Sequence, residues 1–121
     1  MILINHTNHP SSKWSEAQKA GFEKIIDVPF PNIDPNWTMK EVENLVSITL
    51  NVFKQLQDEY GVVGICIQGE FSYCYDLFKE LLDNYYYFTE ILIPTTERRV
   101  IEDGDTKTVT FEFVKWRSLF N

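Results

Sequence analysis

Three short stretches of this chain concentrate the side chains that do chemistry. The first, His6-Thr7-Asn8-His9-Pro10-Ser11-Ser12, brings imidazoles, an amide and hydroxyls together. A helix starting at Ser11 or Ser12 would add free backbone N–H groups suited to a phosphate oxygen. In the second, Gln68 supplies an amide for a base or ribose edge, Gly69 lets a ligand come close to the backbone, and Glu70 is a general acid or base. The third gathers Thr95, Thr96, Arg98 and Arg99, the hydroxyls and guanidiniums that hold phosphate, with two of the chain's three arginines side by side. Each stretch also has a purely structural explanation. Ser11 or Ser12 caps a helix, Glu70 faces the dipole of the helix after it, and Arg98 and Arg99 pair with Glu97, Glu102, Asp103 or Asp105. His6 and His9 have an H-x-x-H spacing, but a third ligand is defined only as far as a guess at Glu70, so no metal or other cofactor is expected.

The elements that must position these stretches follow from the apolar pattern. Met1 to Asn5 reads as a buried strand that gives way to the first polar loop, and a short helix through Trp14, Ala17 and Ala20 stops at Gly21. Lys24 to Val28 is a second strand. Pro29, Pro31 and Pro35 exclude helix and central strand, making Pro29 to Trp37 a surface loop. Thr38-Met39-Lys40-Glu41 fits a capping box, and Val42, Leu45, Val46, Phe53, Leu56 and Tyr60 recur at helical spacing up to Gly61. Val62 to Ile67 is a continuous, β-branched run, the mark of a central parallel strand. Phe71, Cys74, Leu77, Phe78, Leu81 and Leu82 form the next helical stripe, and Glu90 to Ile93 the fourth strand, with Pro94 to Arg99 delivered at its end. Arg99 to Glu102, a turn at Asp103-Gly104, and the alternating Thr108 to Lys115 predict a hairpin beside the sheet edge.

Right-handed crossovers in a β-α-β-α-β-α-β chain favour the strand order 2-1-3-4. The expected fold is therefore α/β: a three-layer, Rossmann-like sandwich with a mainly parallel sheet and a C-terminal β-hairpin, forming one domain over residues 1–121. Winding reverses between the first and third strands, and ligands bind at such switch points. All three polar stretches follow strand ends on that side.

Composition narrows the ligand. With 121 residues, 44% hydrophobic and 15% aromatic, the chain suits one packed domain, and a net charge of -7 argues against a broad electropositive surface for duplex nucleic acid. A small anion in a local pocket stays open. No apolar run reaches the roughly 20 residues of a bilayer span, and the start lacks a signal peptide's basic region, so no membrane and a cytoplasmic location are expected. Cys66 and Cys74 lack zinc-site spacing and read as buried free thiols. The run Tyr85, Tyr86 and Tyr87 reads as core or interface, and so aromatic a chain suits a homodimer.

The stretches Asn8-His9-Pro10-Ser11-Ser12-Lys13-Trp14-Ser15, Gln68-Gly69-Glu70-Phe71, Thr95-Thr96-Glu97-Arg98 and Phe111-Glu112-Phe113-Val114-Lys115-Trp116-Arg117 span most of the chain. Together they resemble small stand-alone CRISPR-associated proteins, the single-domain Rossmann-like relatives of the CARF superfamily, some of which are ring nucleases. The resemblance implies a homodimer whose two pockets face each other and bind cyclic oligoadenylate, most simply cyclic tetra-adenylate. It implies metal-independent cleavage, in which a ribose 2′-OH attacks its neighbouring phosphate and type III antiviral signalling is switched off. It would put His9 and Ser11 at the phosphate, Gln68 and Gly69 at a ribose or base, Arg98 with Thr96 at the developing charge, and Glu70 in orientation or proton transfer. Asn8, Ser12, Thr95 and Arg99 complete the expected ligand contacts. The alternatives are a nucleotide sensor or sponge without turnover, and a protein-docking module using the acidic surface and the aromatic run.

Overall fold

The structure, a computed structural model, describes residues 1–61, 63–84 and 90–119. Val62 and the Tyr85-Tyr86-Tyr87 run lie outside the described residues. β1 (Ile2–Thr7) is the centre of the parallel sheet, hydrogen-bonded on one side to β2 (Lys24–Asp27) and on the other to β3 (Val63–Gln68). β4 (Glu90–Asp103) continues the sheet in parallel, and β5 (Thr106–Ser118) closes it antiparallel to β4, giving the order β2-β1-β3-β4-β5. The expected order 2-1-3-4 thus holds within a mixed α/β sheet and gains a fifth strand.

The two long helices cover one face. α2 (Met39–Tyr60) starts where the Thr38 hydroxyl accepts the Glu41 N–H at 3.4 Å and stops at Gly61, whose φ of 82° a side chain would oppose. α3 (Phe71–Asp83) packs beside it, and Val42, Val46, Phe53, Tyr73, Leu77 and Leu81 close over Ile4, Ile65 and Ile91 of the sheet. The other face has a thinner cover. Leu3, Cys66 and Leu92 are buried there by Trp14, Phe22 and Trp116, with a 3-10 turn (Ser11–Lys13) and the single-turn helix α1 (Glu16–Lys19) above them. Trp116 spans this layer, its ring 5.6 Å from both Trp14 and Phe22 and its Nε1–H donating to the Gln18 carbonyl at 3.0 Å.

Two expectations are corrected. No α-helix starts at Ser11 or Ser12: the 3-10 turn they open ends at Trp14, whose extended backbone interrupts the coil, and α1 begins afresh with Ser15 as its cap, its hydroxyl accepting the Gln18 N–H at 3.2 Å. Nor is Pro94 to Arg99 a segment between two strands. β4 runs through it without a break, so the hairpin's first arm is the fourth sheet strand itself. Pairing with β3 ends at Leu92, and from there β4 has a neighbour on one side only, which is why Pro94 can sit in a strand without wasting a ladder donor. Beyond Leu92 the sheet is a two-stranded ribbon, with a bulge between Thr95 and Thr96.

Candidate functional site

A cleft of about 650 Å³ opens at the carboxyl ends of β1 and β3 and beside Pro94 and Thr96 within β4, on the thinly covered face. Its polar lining includes Asn8, His9, Lys13, Gln68 and Thr96; Trp14, Cys66 and Phe111 are among its apolar walls. The loop bearing Asn8 and His9 is braced from below. Asn5, buried in β1, donates from Nδ2 to the His9 carbonyl at 3.0 Å and to Asp27 Oδ1 at 2.9 Å, while its Oδ1 accepts from the Thr7 hydroxyl at 2.8 Å. Trp14 Nε1–H also donates to the His9 carbonyl at 3.2 Å, and the Thr7 hydroxyl accepts the His9 N–H at 3.1 Å. The His9 main chain is therefore tied from several directions, and its exposed imidazole stands at the cleft on a fixed stem.

The structure brings Asn8, His9, Gln68 and Thr96 of the expected set together. The others stand outside the lining. Ser11 offers its main chain to Asp27 Oδ2 at 3.3 Å, and Ser12 is exposed in the 3-10 turn. The phosphate-holding helix start expected at these serines is absent from the described residues. Gly69 serves packing, because a Cβ there would run into the ring of Phe30. Glu70 is the cap of α3: its carboxylate accepts from the Ser72 hydroxyl at 2.6 Å and from the Tyr73 N–H at 2.9 Å. These hydrogen bonds, the Ser72 hydroxyl first, hold its pKa below the ordinary 4.5, so it is an anion committed to the helix. Thr95 closes the bulge, donating to the Lys115 carbonyl at 2.9 Å and accepting its N–H at 3.1 Å.

The two arginines part company. Arg99 Nε lies 3.2 Å from Glu112 across the ribbon, a partner outside the expected set, and its guanidinium lies 4.0 Å from Glu97 on its own strand, one of the expected partners. Arg98 stands opposite Phe111 in the ladder and shares its face, two residues from the cleft residue Thr96. No carboxylate lies within ion-pair distance of Arg98 among the described residues.

Neither cysteine is poised as a nucleophile. Cys66 sits at the cleft floor, its thiol pushed up to about 12 by burial, and Cys74 is raised to about 11, first by burial and then by the Glu70 charge. His6 belongs to the opposite face. Its Nδ1–H donates to the Val28 carbonyl at 2.8 Å, and its Nε2 meets the Tyr73 hydroxyl at 2.7 Å, which in turn meets Thr49 Oγ1 at 2.8 Å. Burial lowers its pKa below 6.5, so the ring is neutral and Nε2 accepts from Tyr73. Among the described residues no group of three or more His, Cys, Asp and Glu converges as a metal site would require, and no helix is long and apolar enough to cross a membrane.

Reasoning from residue types missed Asn5, Asp27, Lys13 and Phe111 as cleft determinants. A signal existed for Asn5, a polar residue at the end of an apolar strand, and for Phe111, which alternates with threonines and glutamate. Lys13 and Asp27 had none.

No curated protein and no solved structure matches the chain. The model of the family described as Uncharacterized protein MJ1673 matches residues 1–117, from before β1 to the last turn of the ladder in β5. The chain that builds this cleft belongs to the MJ1673 family.

Proposed function

We propose that the cleft binds a cyclic oligoadenylate, cyclic tetra-adenylate first, and opens its ring without a metal, lowering the messenger of a type III antiviral response. In this reading the protein acts in the cytoplasm as a homodimer, and α1 with its tryptophans is a reduced third layer of a Rossmann-like sandwich. The observation that carries it is the distribution of cations. In a chain of net charge -7, Lys13 and His9 line the cleft, and Arg98, with no carboxylate within ion-pair distance among the described residues, stands on the ribbon face that continues it. Such a local cationic cluster suits a phosphodiester.

In the step proposed, a ribose 2′-OH attacks the adjacent phosphorus and gives its proton to the His9 imidazole. The P–O5′ bond breaks, the departing 5′ oxygen takes up a proton from water, and a 2′,3′-cyclic phosphate end remains. Lys13 and Arg98 face the charge that grows on the phosphate oxygens. Glu70, whose carboxylate is engaged with the start of α3, and Ser11, which lies outside the cleft lining, are given no role in this step. A second reading, a sensor or sponge without turnover, is favoured by one observation: of His9, Ser11, Glu70 and Arg98, only His9 lines the cleft.

The test is incubation of the purified protein with cyclic tetra-adenylate and cyclic hexa-adenylate, in EDTA and separately with manganese, with products resolved by chromatography. Linear products with 2′,3′-cyclic phosphate ends in EDTA, lost in His9→Ala, are expected. Tight calorimetric binding with no product selects the sensor, and neither binding nor product removes both readings for these ligands.

A further inference from the structure

Past Leu92 the β4–β5 ribbon has two unlike faces. The outer face carries Thr95, Glu97, Arg99, Thr110 and Glu112 and is held by the Arg99–Glu112 ion pair. The inner face sets Thr96 and Arg98 against Phe113 and Phe111. The two phenylalanines differ. Phe113 packs on Trp116 with ring centroids 5.5 Å apart, whereas Phe111 is 65% exposed although it forms part of the cleft wall. Residues directly opposite on an antiparallel pair have Cβ atoms about 5 Å apart, so the Arg98 side chain leaves the ribbon on the same face as that bare ring and next to it. An open aromatic face on the wall of a cleft lined with amides, with an arginine opposite it in the ladder that has no carboxylate within ion-pair distance among the described residues, matches the two parts of a nucleotide: a flat base to stack and an anionic backbone to hold.

We propose that Phe111 is the base-stacking platform of this cleft and that Arg98 holds the phosphate next to the stacked base. The inference rests on the reading of the cleft as a nucleotide site and adds what is recognised there: an unpaired base, carried by a single-stranded or cyclic phosphodiester. A duplex does not fit this role, because its bases are already stacked on both sides. Stacking is tolerant of base identity, since every base has a π-face. Selectivity between bases then falls to Gln68, whose amide lines the same cleft.

The experiment uses the full chain and a linear triadenylate with 2-aminopurine at its centre, whose fluorescence is quenched on stacking, with tripolyphosphate as a base-free competitor. Wild type is expected to quench the probe, and tripolyphosphate to compete only weakly. Phe111→Ala and Phe111→Leu should weaken probe binding by roughly 5- to 100-fold, the range expected for one lost base–aromatic stack. Both should also abolish the quench. Phe111→Trp should restore it, which separates a missing ring from a misfolded ribbon, and Thr110→Ala on the outer face should match wild type. A Phe111→Leu variant that binds and quenches like wild type overturns the platform. Tripolyphosphate competing as well as unlabelled triadenylate overturns it too, while leaving a phosphate cleft intact. If wild type binds neither probe, the nucleotide reading itself falls and takes the platform with it.

Discussion

The two faces of the sheet bury polar side chains in different ways, and β1 carries both. Ile4 and His6 point to the helices, Leu3, Asn5 and Thr7 to the cleft side. His6 is enclosed by Phe30, Phe53 and Tyr73, with ring centroids 5.3 to 5.7 Å away, and its hydrogen bonds end on Val28 and Tyr73. Asn5, one residue earlier, spends its amide on the loop that holds His9 and on Asp27. A satisfied polar group locks whatever its partners belong to. On the helix face that is the core, and on the other face it is the rim of a cleft. Histidine as a residue type therefore says little: His6 is part of the packing, and His9 is presented at the opening.

The largest test of this division is Phe53→Ala. Phe53 is fully buried on the sheet-facing side of α2, and its truncation should lower stability by about 3–5 kcal/mol in urea unfolding. The folded fraction should still bind the triadenylate probe as wild type does. Loss of binding in protein that is still folded would mean that the helix face shapes the cleft, and the comparison would break. Asn5→Ala should destabilise by about 1–3 kcal/mol, because the His9 carbonyl and Asp27 each lose a donor. It should also weaken the probe's binding, since the loop loses its brace. A variant that loses stability but keeps wild-type affinity would reduce Asn5 to a core residue like His6.

A subtler probe of the helix face is pH. Burial lowers the pKa of His6 in the folded protein below its ordinary 6.5, against the Val28 carbonyl, which favours the charged form. The unfolded chain then takes up this proton more readily than the folded one. The His6 contribution is fully present above 6.5 and is lost as pH falls below that value towards the lowered folded pKa. Urea midpoints should therefore drop as pH falls below about 6.5, and His6→Gln should flatten that part of the profile. An unchanged drop in His6→Gln would assign the acid sensitivity elsewhere.

Much of this was legible in the sequence, and what was not has a common cause. The strand order followed from crossover handedness, and the cap at Thr38 and the stop at Gly61 follow from local chemistry that tertiary packing does not override. Asn8, His9, Gln68 and Thr96 were found because strand ends at a switch point converge. Glu70 takes the second of its two expected roles, at the start of the following helix, through Ser72 and Tyr73 two and three residues on, while the main chain of Ser11 finds Asp27 sixteen residues away, which no spacing rule weighs. Pro94 misled for a geometric reason: a proline reads as a strand end unless the strand has already lost one neighbour, as β4 has by then. The brace of Asn5 joins two strands and a loop, so it exists only once the sheet is assembled.

The smallest expected effect separates two neighbours with the same side chain. Arg99→Ala breaks an ion pair with Glu112 on the ribbon's outer face, where both partners are largely exposed, so the loss of stability should be about 0–1 kcal/mol. Probe affinity should not change, because that face points away from Phe111. Arg98→Ala should do the reverse: it removes no ion pair from the described residues, so the unfolding midpoint should stay put while triadenylate binding weakens and becomes less sensitive to salt. Measuring both variants by urea titration and by probe binding over a range of salt gives four numbers that must cross. If Arg99→Ala lowers affinity as much as Arg98→Ala does, the effect belongs to the net charge of the whole ribbon, and the distinction between its inner and outer faces collapses.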